Sequence, residues 1–287
     1  MKKFLFGVLV ILSRLVSNYV FTNLIFLYNC IRFKRVFYLQ KISNPITFNE
    51  KINYIKFRKR NSLAPLVADK FKVRGFIEEE IGAKYLVPLI GCFERFEDID
   101  FARLPNQFVL KLNNGSGFNF ICQDVSQVNI SQIRSRFNKA LAIDIYQISR
   151  EWHYRMIESK LIIEEFLGQN ILDYKVHCNS EIGPFCIQLD INRFSNHKRD
   201  FYDLNWQKMD ISFVYPKSQI FVKQPENLQE MLSIAKKLSR HFLYSRIDFY
   251  EVYGKLYFGE ITMHPEGGLG PFGSYEMDRL MGEFIKL

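Results

Sequence analysis

No two cysteines in this 287-residue sequence are spaced C-x-x-C. The five present, at positions 30, 92, 122, 178 and 186, are scattered and odd in number. That excludes a disulfide framework and a cysteine-based zinc site, and reduced thiols in a cytosolic protein are the simpler account. An uninterrupted apolar run of the about 20 residues needed to span a bilayer is also missing. Arg14, Asn18 and Asn23 interrupt the stretch after "MKKFLFGVLVIL", and no small-residue cleavage site precedes "FKRVFYLQK". There are no internal repeats and no low-complexity linker. Several enzyme signatures are absent too: the Walker loop, the G-x-S-x-G elbow, H-E-x-x-H, and the deaminase pairing of H-x-E with P-C-x-x-C.

Acidic residues are in deficit, 30 against 39 Lys and Arg, for a net charge of +9. Such an excess favours phosphorylated substrates, nucleic acid or an acidic membrane surface. Nucleic acid is not expected, because the basic residues do not interleave with an RNP-like aromatic motif. Residues 1–43 read instead as an interfacial helical segment. Aromatic and aliphatic bulk is followed by "RFKR" to meet anionic headgroups, peripherally on the cytoplasmic face of the inner membrane.

What is present is a globular composition, 48% hydrophobic and 24% charged, on a chain long enough for a substantial core. Thr47 and Glu50 form a capping box ahead of Phe48, Ile52 and Ile55 at helical spacing. A second helix is expected from Pro65 to Ile81, closed by Gly82, with Lys70 and Arg74 one turn apart. "YLVPLIGCF" reads as a short buried strand, and "QFVLKLNNGSGFNFICQ" as a hairpin around an Asn- and Gly-rich turn. Residues 129–160 read as helical, and "KLIIEEFL" as a strand. "DYKVHCNSEIGPFCIQLDINRF" reads as a hairpin turning at Ser180 to Pro184. A helix over 225–241, with Pro225 near its start, precedes two closing strands in "SRIDFYEVYGKLYFGEIT". Hairpins replace βαβ units, so the fold class is α+β.

The chemistry concentrates where carboxylates interrupt apolar strands. Strand parity puts Arg246, Asp248 and Tyr250 on one face of the first closing strand, and Phe258, Glu260 and Thr262 on one face of the second. Whether Asp248 and Glu260 meet depends on the turn at Tyr253-Gly254. A loop of odd length puts them on the same face; a two-residue loop puts them on opposite faces, since a one-residue slip inverts every side chain. Facing carboxylates repel, which raises a pKa or demands a cation between them, and their oxygens suit Mg²⁺ shared with substrate phosphates. Alternatively, one of them forms a structural salt bridge with Arg246. In "VLKLNNGSG", Lys111 projects from a strand, and Gly115 and Gly117 let backbone amides approach an anion, or simply satisfy a hairpin turn. The acids of "IIEEFL" beside "DYK" suit a ribose hydroxyl or an adenine amino group, or cap a strand end.

In order along the chain, "TFNEKINYIK", "ADKFKVR", "LPNQFVLKLNNGSG", "SREWHY", "NRFSNHKRDFYDLNW" and "GEITMHPEGGLGPF" resemble the TupA-like ATP-grasp family of bacterial envelope-polymer biosynthesis. The resemblance runs from about Asn44 to the C-terminus. It implies an ATP-grasp fold, two antiparallel-sheet subdomains clasping a nucleotide, with residues 44–287 as the catalytic domain behind the N-terminal helices. It implies ATP and Mg²⁺ as cofactors. Lys111 and Lys175 would contact phosphates or adenine, and the turn of Asn113, Gly115, Ser116 and Gly117 would cover the phosphates. Glu164 or Glu165 would meet the adenine-ribose end. Asp248 and Glu260 would hold Mg²⁺, with Thr262 where many ATP-grasp enzymes carry an Asn ligand. Arg193, His197, Lys198 and Arg199 would suit an acidic sugar or an acyl phosphate, and Arg246 would act beside them in catalysis. The implied activity joins a carboxylate-bearing glycan or small molecule, activated as an acyl phosphate, to an amine. Two other readings stand beside it. A glycosyltransferase would use the D-x-D pair Asp98 and Asp100 on a nucleotide-sugar, and an inactive nucleotide-binding homologue is suggested by Thr262.

Overall fold

The computed structural model of the chain describes residues 16–287, with Ser116, Asn170, Arg193 and Phe194 excepted. The start of the expected interfacial helix, residues 1–15, lies outside the described residues. The Ser17 hydroxyl caps α1 (Asn18–Phe33), and the expected capping box opens α2 (Phe48–Arg58). Glu50 also accepts from the amides of Lys41 (2.7 Å) and Ile46 (2.8 Å), which fixes the approach to α2. The helix expected over 65–81 is in fact two, α3 (Ala64–Ala68) and α4 (Val73–Ile81). Between them the buried Asp69 carboxylate accepts from the Phe71 and Lys72 amides, a local bond that competes with helix continuation.

A four-stranded antiparallel sheet comes next, built from β1 (Leu89–Phe93), β2 (Phe108–Leu112), β3 (Asn119–Cys122) and β4 (Leu161–Glu165), in the order β1-β4-β2-β3. β1 is an edge strand and only half-buried, not the buried strand that "YLVPLIGCF" suggests. Phe108, Leu110, Leu161 and Ile163 pack on Ile133 and Phe137 of α5 (Ile130–Leu141). The helical stretch expected over 129–160 divides there into α5, α6 (Ile145–Ser149) and a 3₁₀ turn at Trp152–Met156. Arg150, left-handed at φ 59°, stops α6.

The larger sheet holds β5 (Asp173–Asn179), β6 (Gly183–Ile191), β7 (Lys198–Tyr202), β8 (Lys208–Met209), β9 (Tyr244–Val252) and β10 (Lys255–Thr262). All pairs are antiparallel, ordered β10-β9-β5-β6-β7-β8. Its apolar face, with Val176, Ile187, Leu189, Ile247 and Phe249, packs on Leu228, Met231, Ala235 and Leu238 of α7 (Leu228–Ser239), a helix somewhat shorter than the 225–241 expected. The chain closes with α8 (Tyr275–Glu283) against α2. The α+β class and the two antiparallel sheets expected from the sequence are what the chain adopts.

The boundary expected after residue 43 falls between α1 and α2, and α1 rests on the C-terminal half. Phe21 and Ile25 pack on Leu269, and Asn29 donates to the Leu269 carbonyl (2.9 Å). Among the described residues, no helix is long and apolar enough to cross a membrane.

His177 sits on the second face of the larger sheet among Phe48, Phe185 and Phe201. The Tyr244 hydroxyl lies 2.7 Å from its Nδ1, and the Gln188 amide oxygen 3.2 Å from its Nε2. Burial lowers its pKa to about 3. An unfolded histidine takes a proton below about pH 6.5 while the folded one refuses it, so stability present at neutral pH is lost on acidification, by about 1.4 kcal/mol per pH unit between those two values. The raised carboxyls of Asp248 and Asp278 give the opposite slope in this range. The stability difference between the parent and His177→Gln in urea melts, from neutral pH down to about pH 4, is therefore what is expected to show the His177 slope.

Candidate active site

The second face of the larger sheet is where the polar positions of its strands converge. β5 contributes Asp173 and Lys175, β6 Asp190, β7 Arg199, β9 Arg246 and Asp248, and β10 Glu260 and Thr262. The Tyr253-Gly254 loop has two residues, with φ of 50° and 70°, the both-positive pattern of a type I′ turn. By parity alone such a loop sends Asp248 and Glu260 to opposite faces. A β-bulge between Phe258 and Glu260 restores one face: Phe258 pairs with Phe249, then Glu260 pairs with Asp248 and Thr262 with Arg246. The extra residue is Gly259, where a Cβ would stand 3.1 Å from the Asp248 carbonyl and 3.3 Å from the Tyr250 ring. One residue thus moves Glu260 into the site, and Phe258 goes to the core face rather than sharing one with Glu260.

The facing carboxylates are bridged by cations. Arg246 holds Asp248 bidentately (Nε–Oδ1 2.7 Å, Nη2–Oδ2 2.8 Å) and reaches Glu260 Oε1 (3.0 Å) and Thr262 Oγ1 (3.2 Å). Lys175 donates to Asp173 (2.5 Å) and to Asp248. Burial opposes the Lys175 charge, but Asp173 and Asp248 outweigh it and its pKa is raised. Burial also pushes the Asp248 carboxyl up to about 6, with Arg246 and Lys175 pulling the other way. The salt bridge between Asp248 and Arg246 is therefore present as well as the carboxylate pair. The oxygens of Asp248, Glu260 and Thr262, the last two 3.2 Å apart, are donors of the kind a hard divalent ion takes, and Arg246 Nη2 lies within 3.2 Å of all three residues.

The opposite wall comes from the smaller sheet and the segment before α4. Lys111 Nζ lies 2.5 Å from Glu164, which Arg74 also approaches (3.4 Å). Lys70 donates to the Gly115 carbonyl (2.6 Å), stands 3.9 Å from Glu260, and through its backbone amide holds the Asn113 carbonyl (2.7 Å). Burial lowers the Lys70 pKa. Gly115 has φ 65°, and a Cβ there would meet the tip of Ile145 at 2.6 Å, so any other residue is strained and must displace that side chain. Asn113 lies within this turn. Its buried side chain bonds the Glu158 carbonyl (3.0 Å) and the Lys160 amide (2.7 Å), so it anchors the turn.

Two chambers open between the walls. One of about 430 Å³ has Lys111, Glu164, Glu165, Asp173 and Tyr250 in its lining. Another of about 570 Å³ has Lys70, Gly115, Lys175, Arg199, Arg246 and Glu260. Asp190 lines both. Burial raises the Asp190 carboxyl, but Arg199 outweighs it and holds it far below the usual carboxylate range. Arg199 clasps Asp190 (2.6 Å) and reaches Glu266 (2.9 Å). His197 lies 3.3 Å from Asp190 and stacks on Tyr215. Glu151, His153 and His264 also line the larger chamber, and burial lowers the His153 pKa to about 4. Arg193 and Ser116 fall outside the described residues. Gly117, with φ 85°, ends the turn.

Sequence reasoning missed Lys70, Arg74, Asp173 and Asp190 as site residues. The signal for the last two was there: Asp173, Lys175 and His177, like Gln188 and Asp190, recur at every second position of otherwise apolar strands. The D-x-D pair takes no part. Asp98 binds Arg95 (2.6 Å), Asp100 accepts from the Ala102 amide (3.1 Å), and neither lines these chambers.

A family model described as TupA-like ATPgrasp matches residues 50–286. No curated protein matches. Among solved structures, the chain is similar to D-alanine–D-alanine ligase from Bacillus anthracis, at 17% identity over 69% of this chain and 57% of that one, with a TM-score of 0.40. It is similar to L-amino acid ligase from Bacillus licheniformis at 12% identity over 77% and 50%, TM-score 0.47. For D-alanine–D-alanine ligase from Helicobacter pylori the values are 17% identity over 77% and 63%, TM-score 0.43. The chain spans about half the length of the first of these matching structures.

Proposed function

Because the chain belongs to the TupA-like ATP-grasp family, we propose that it is an ATP-dependent ligase of envelope polysaccharide synthesis, one that activates a carboxylate as an acyl phosphate and joins it to an amine. The observation that carries this reading is the pairing of Glu260 with Asp248 opposite the Lys70, Lys111 and Gly115 wall. In the proposed reaction a carboxylate oxygen takes the γ-phosphoryl group of ATP and ADP leaves. The amine then bonds to the acyl carbon, phosphate departs, and the amine's proton goes to water.

The residues supply positioning and charge neutralisation, which is most of what phosphoryl transfer asks of a protein. Lys70, Lys111 and Lys175 neutralise phosphate oxygens, and the Gly115 turn offers backbone amides. Asp248, Glu260 and Thr262 would hold Mg²⁺, which supplies further neutralisation of the transferred group. Glu164 and Glu165 line the smaller chamber, where they can accept from ribose hydroxyls or an amino group of the base. Arg199 and Arg246 offer planar forks to a carboxylate or an acyl phosphate in the larger one. The test is to incubate the protein with ATP, MgCl₂ and panels of uronic acids and amines. ADP formation that needs both acceptors supports the ligase; sugar transfer from a nucleotide-sugar without ADP contradicts it.

The same reading includes a peripheral membrane position. α1 buries Phe21, Ile25 and Phe26 but leaves Val20, Leu24, Leu27 and Ile31 exposed at helical spacing, a second apolar stripe that ends at "RFKR". Ile25, Asn29 and Arg32 of the same helix line the larger chamber, so a membrane-held glycan precursor would reach it directly. Flotation with anionic vesicles is expected to carry the full-length protein up, and neutral vesicles to carry less. Leu24→Ser with Ile31→Ser should reduce recovery about tenfold or more, given about 1.5–3 kcal/mol for each buried aliphatic side chain. Equal flotation of both proteins would contradict the docking face.

A further inference from the structure

The end of the larger chamber carries a second cluster that the ligase reading does not use. Glu151 and His153 come from "SREWHY", and His264 from "MHPEGG". Their donor atoms all lie within 4.8 Å of one another. Glu151 Oε1 is 3.0 Å from His264 Nδ1 and 3.8 Å from His153 Nε2. Tetrahedral bonds of about 2.0–2.1 Å put neighbouring donors about 3.3 Å apart, which is close to this spacing. The two imidazoles are near-parallel, at 19° with centroids 5.6 Å apart.

His153 is the observation that asks for a ligand. Its side chain is 1% exposed, yet among the described residues its Nδ1 has no hydrogen-bond partner. Nε2 is too far from Glu151 for a bond. A buried polar group left unsatisfied costs about 1–3 kcal/mol and calls for an ion or water. We propose that Glu151, His153 and His264 form a transition-metal site of the zinc class, distinct from the oxygen-donor set at Asp248 and Glu260. Two imidazoles and one carboxylate are the borderline-soft donors that zinc takes and that Mg²⁺ does not. Three protein ligands leave one position open, and the cluster lines the chamber, so water or a substrate nitrogen or oxygen can fill it. The site was not legible as a motif because its halves lie 113 residues apart.

The competing occupant is internal. Buried Lys56 bonds the Gly267 carbonyl (2.6 Å), and its charge acts on Glu151, which it could serve as a simple counter-ion. Titrating CoCl₂ into EDTA-treated full-length protein decides between them. The site predicts one equivalent bound with the intense visible bands of a four- or five-coordinate ion, displaced by ZnCl₂ and untouched by MgCl₂. His153→Ala and Glu151→Gln should each weaken binding by more than about 100-fold, the upper end for losing a merely supporting partner. Asp98→Asn, at a carboxylate that lines neither chamber, should bind cobalt as the parent does. Absence of these bands in the folded parent protein overturns the proposal, and so do weak bands that survive both His153→Ala and Glu151→Gln. Because the readout is cobalt binding and not turnover, it stands or falls independently of the ligase reading.

Discussion

Glu260→Gln is expected to cut ADP formation by on the order of 100- to 1,000-fold, the range for removing one preorganised charge partner from a reacting centre, while the melting temperature stays almost unchanged. Glu260 is 33% exposed, and its bonds to Arg246 Nη2 (3.0 Å) and Thr262 Oγ1 (3.2 Å) both use Oε1. Glutamine retains an oxygen acceptor there and removes only the negative charge. An ion pair open to water on this scale contributes about 0–1 kcal/mol, so folding hardly notices its loss. On the proposed reading the chemistry does notice it, because the same charge would help hold the Mg²⁺ that neutralises the phosphates. A coupled ADP assay beside a thermal melt measures both. A parallel collapse of melting temperature and rate would mean that Glu260 is structural.

Asp248→Asn should behave in the opposite way, with a stability loss of about 3–5 kcal/mol, the usual cost of removing one partner from a buried ion network. Asp248 is 1% exposed and carries both Arg246 and Lys175. The asparagine leaves two buried cations with too little negative charge between them. Lys175→Met in the same chain removes one of those cations and should recover part of the loss. Urea denaturation of the two single variants and the double variant forms the cycle. A coupling of about 1 kcal/mol or more is expected for groups in one network, and strict additivity would contradict it.

These effects rest on a site that the sequence disclosed unevenly. Alternation in "DYKVHCN" and "YSRIDFY" was enough to sort Lys175 and Asp248 from Val176 and Ile247, because a strand has only two faces. Asp248 meets Glu260 by a route the sequence conceals. The two-residue turn alone separates them, and only the bulge at Gly259 brings them together. A glycine within an apolar strand is the one local hint of such a bulge. The break at Asp69 was hidden because apolar spacing continues across it and the competing bonds come from a single buried carboxylate. Lys70 and Arg74 then lose the helical face the sequence suggests. They converge instead on Gly115 and Glu164, long-range partners that no local spacing encodes.

The most direct measurement traces oxygen. Carboxylate substrates labelled with ¹⁸O, supplied with ATP, MgCl₂ and an amine, pass one labelled oxygen to the released phosphate if the carboxylate attacks the γ-phosphorus. The account predicts ADP and singly labelled phosphate in equal amounts, with amide formed in step. Unlabelled phosphate, or AMP with pyrophosphate, would contradict it.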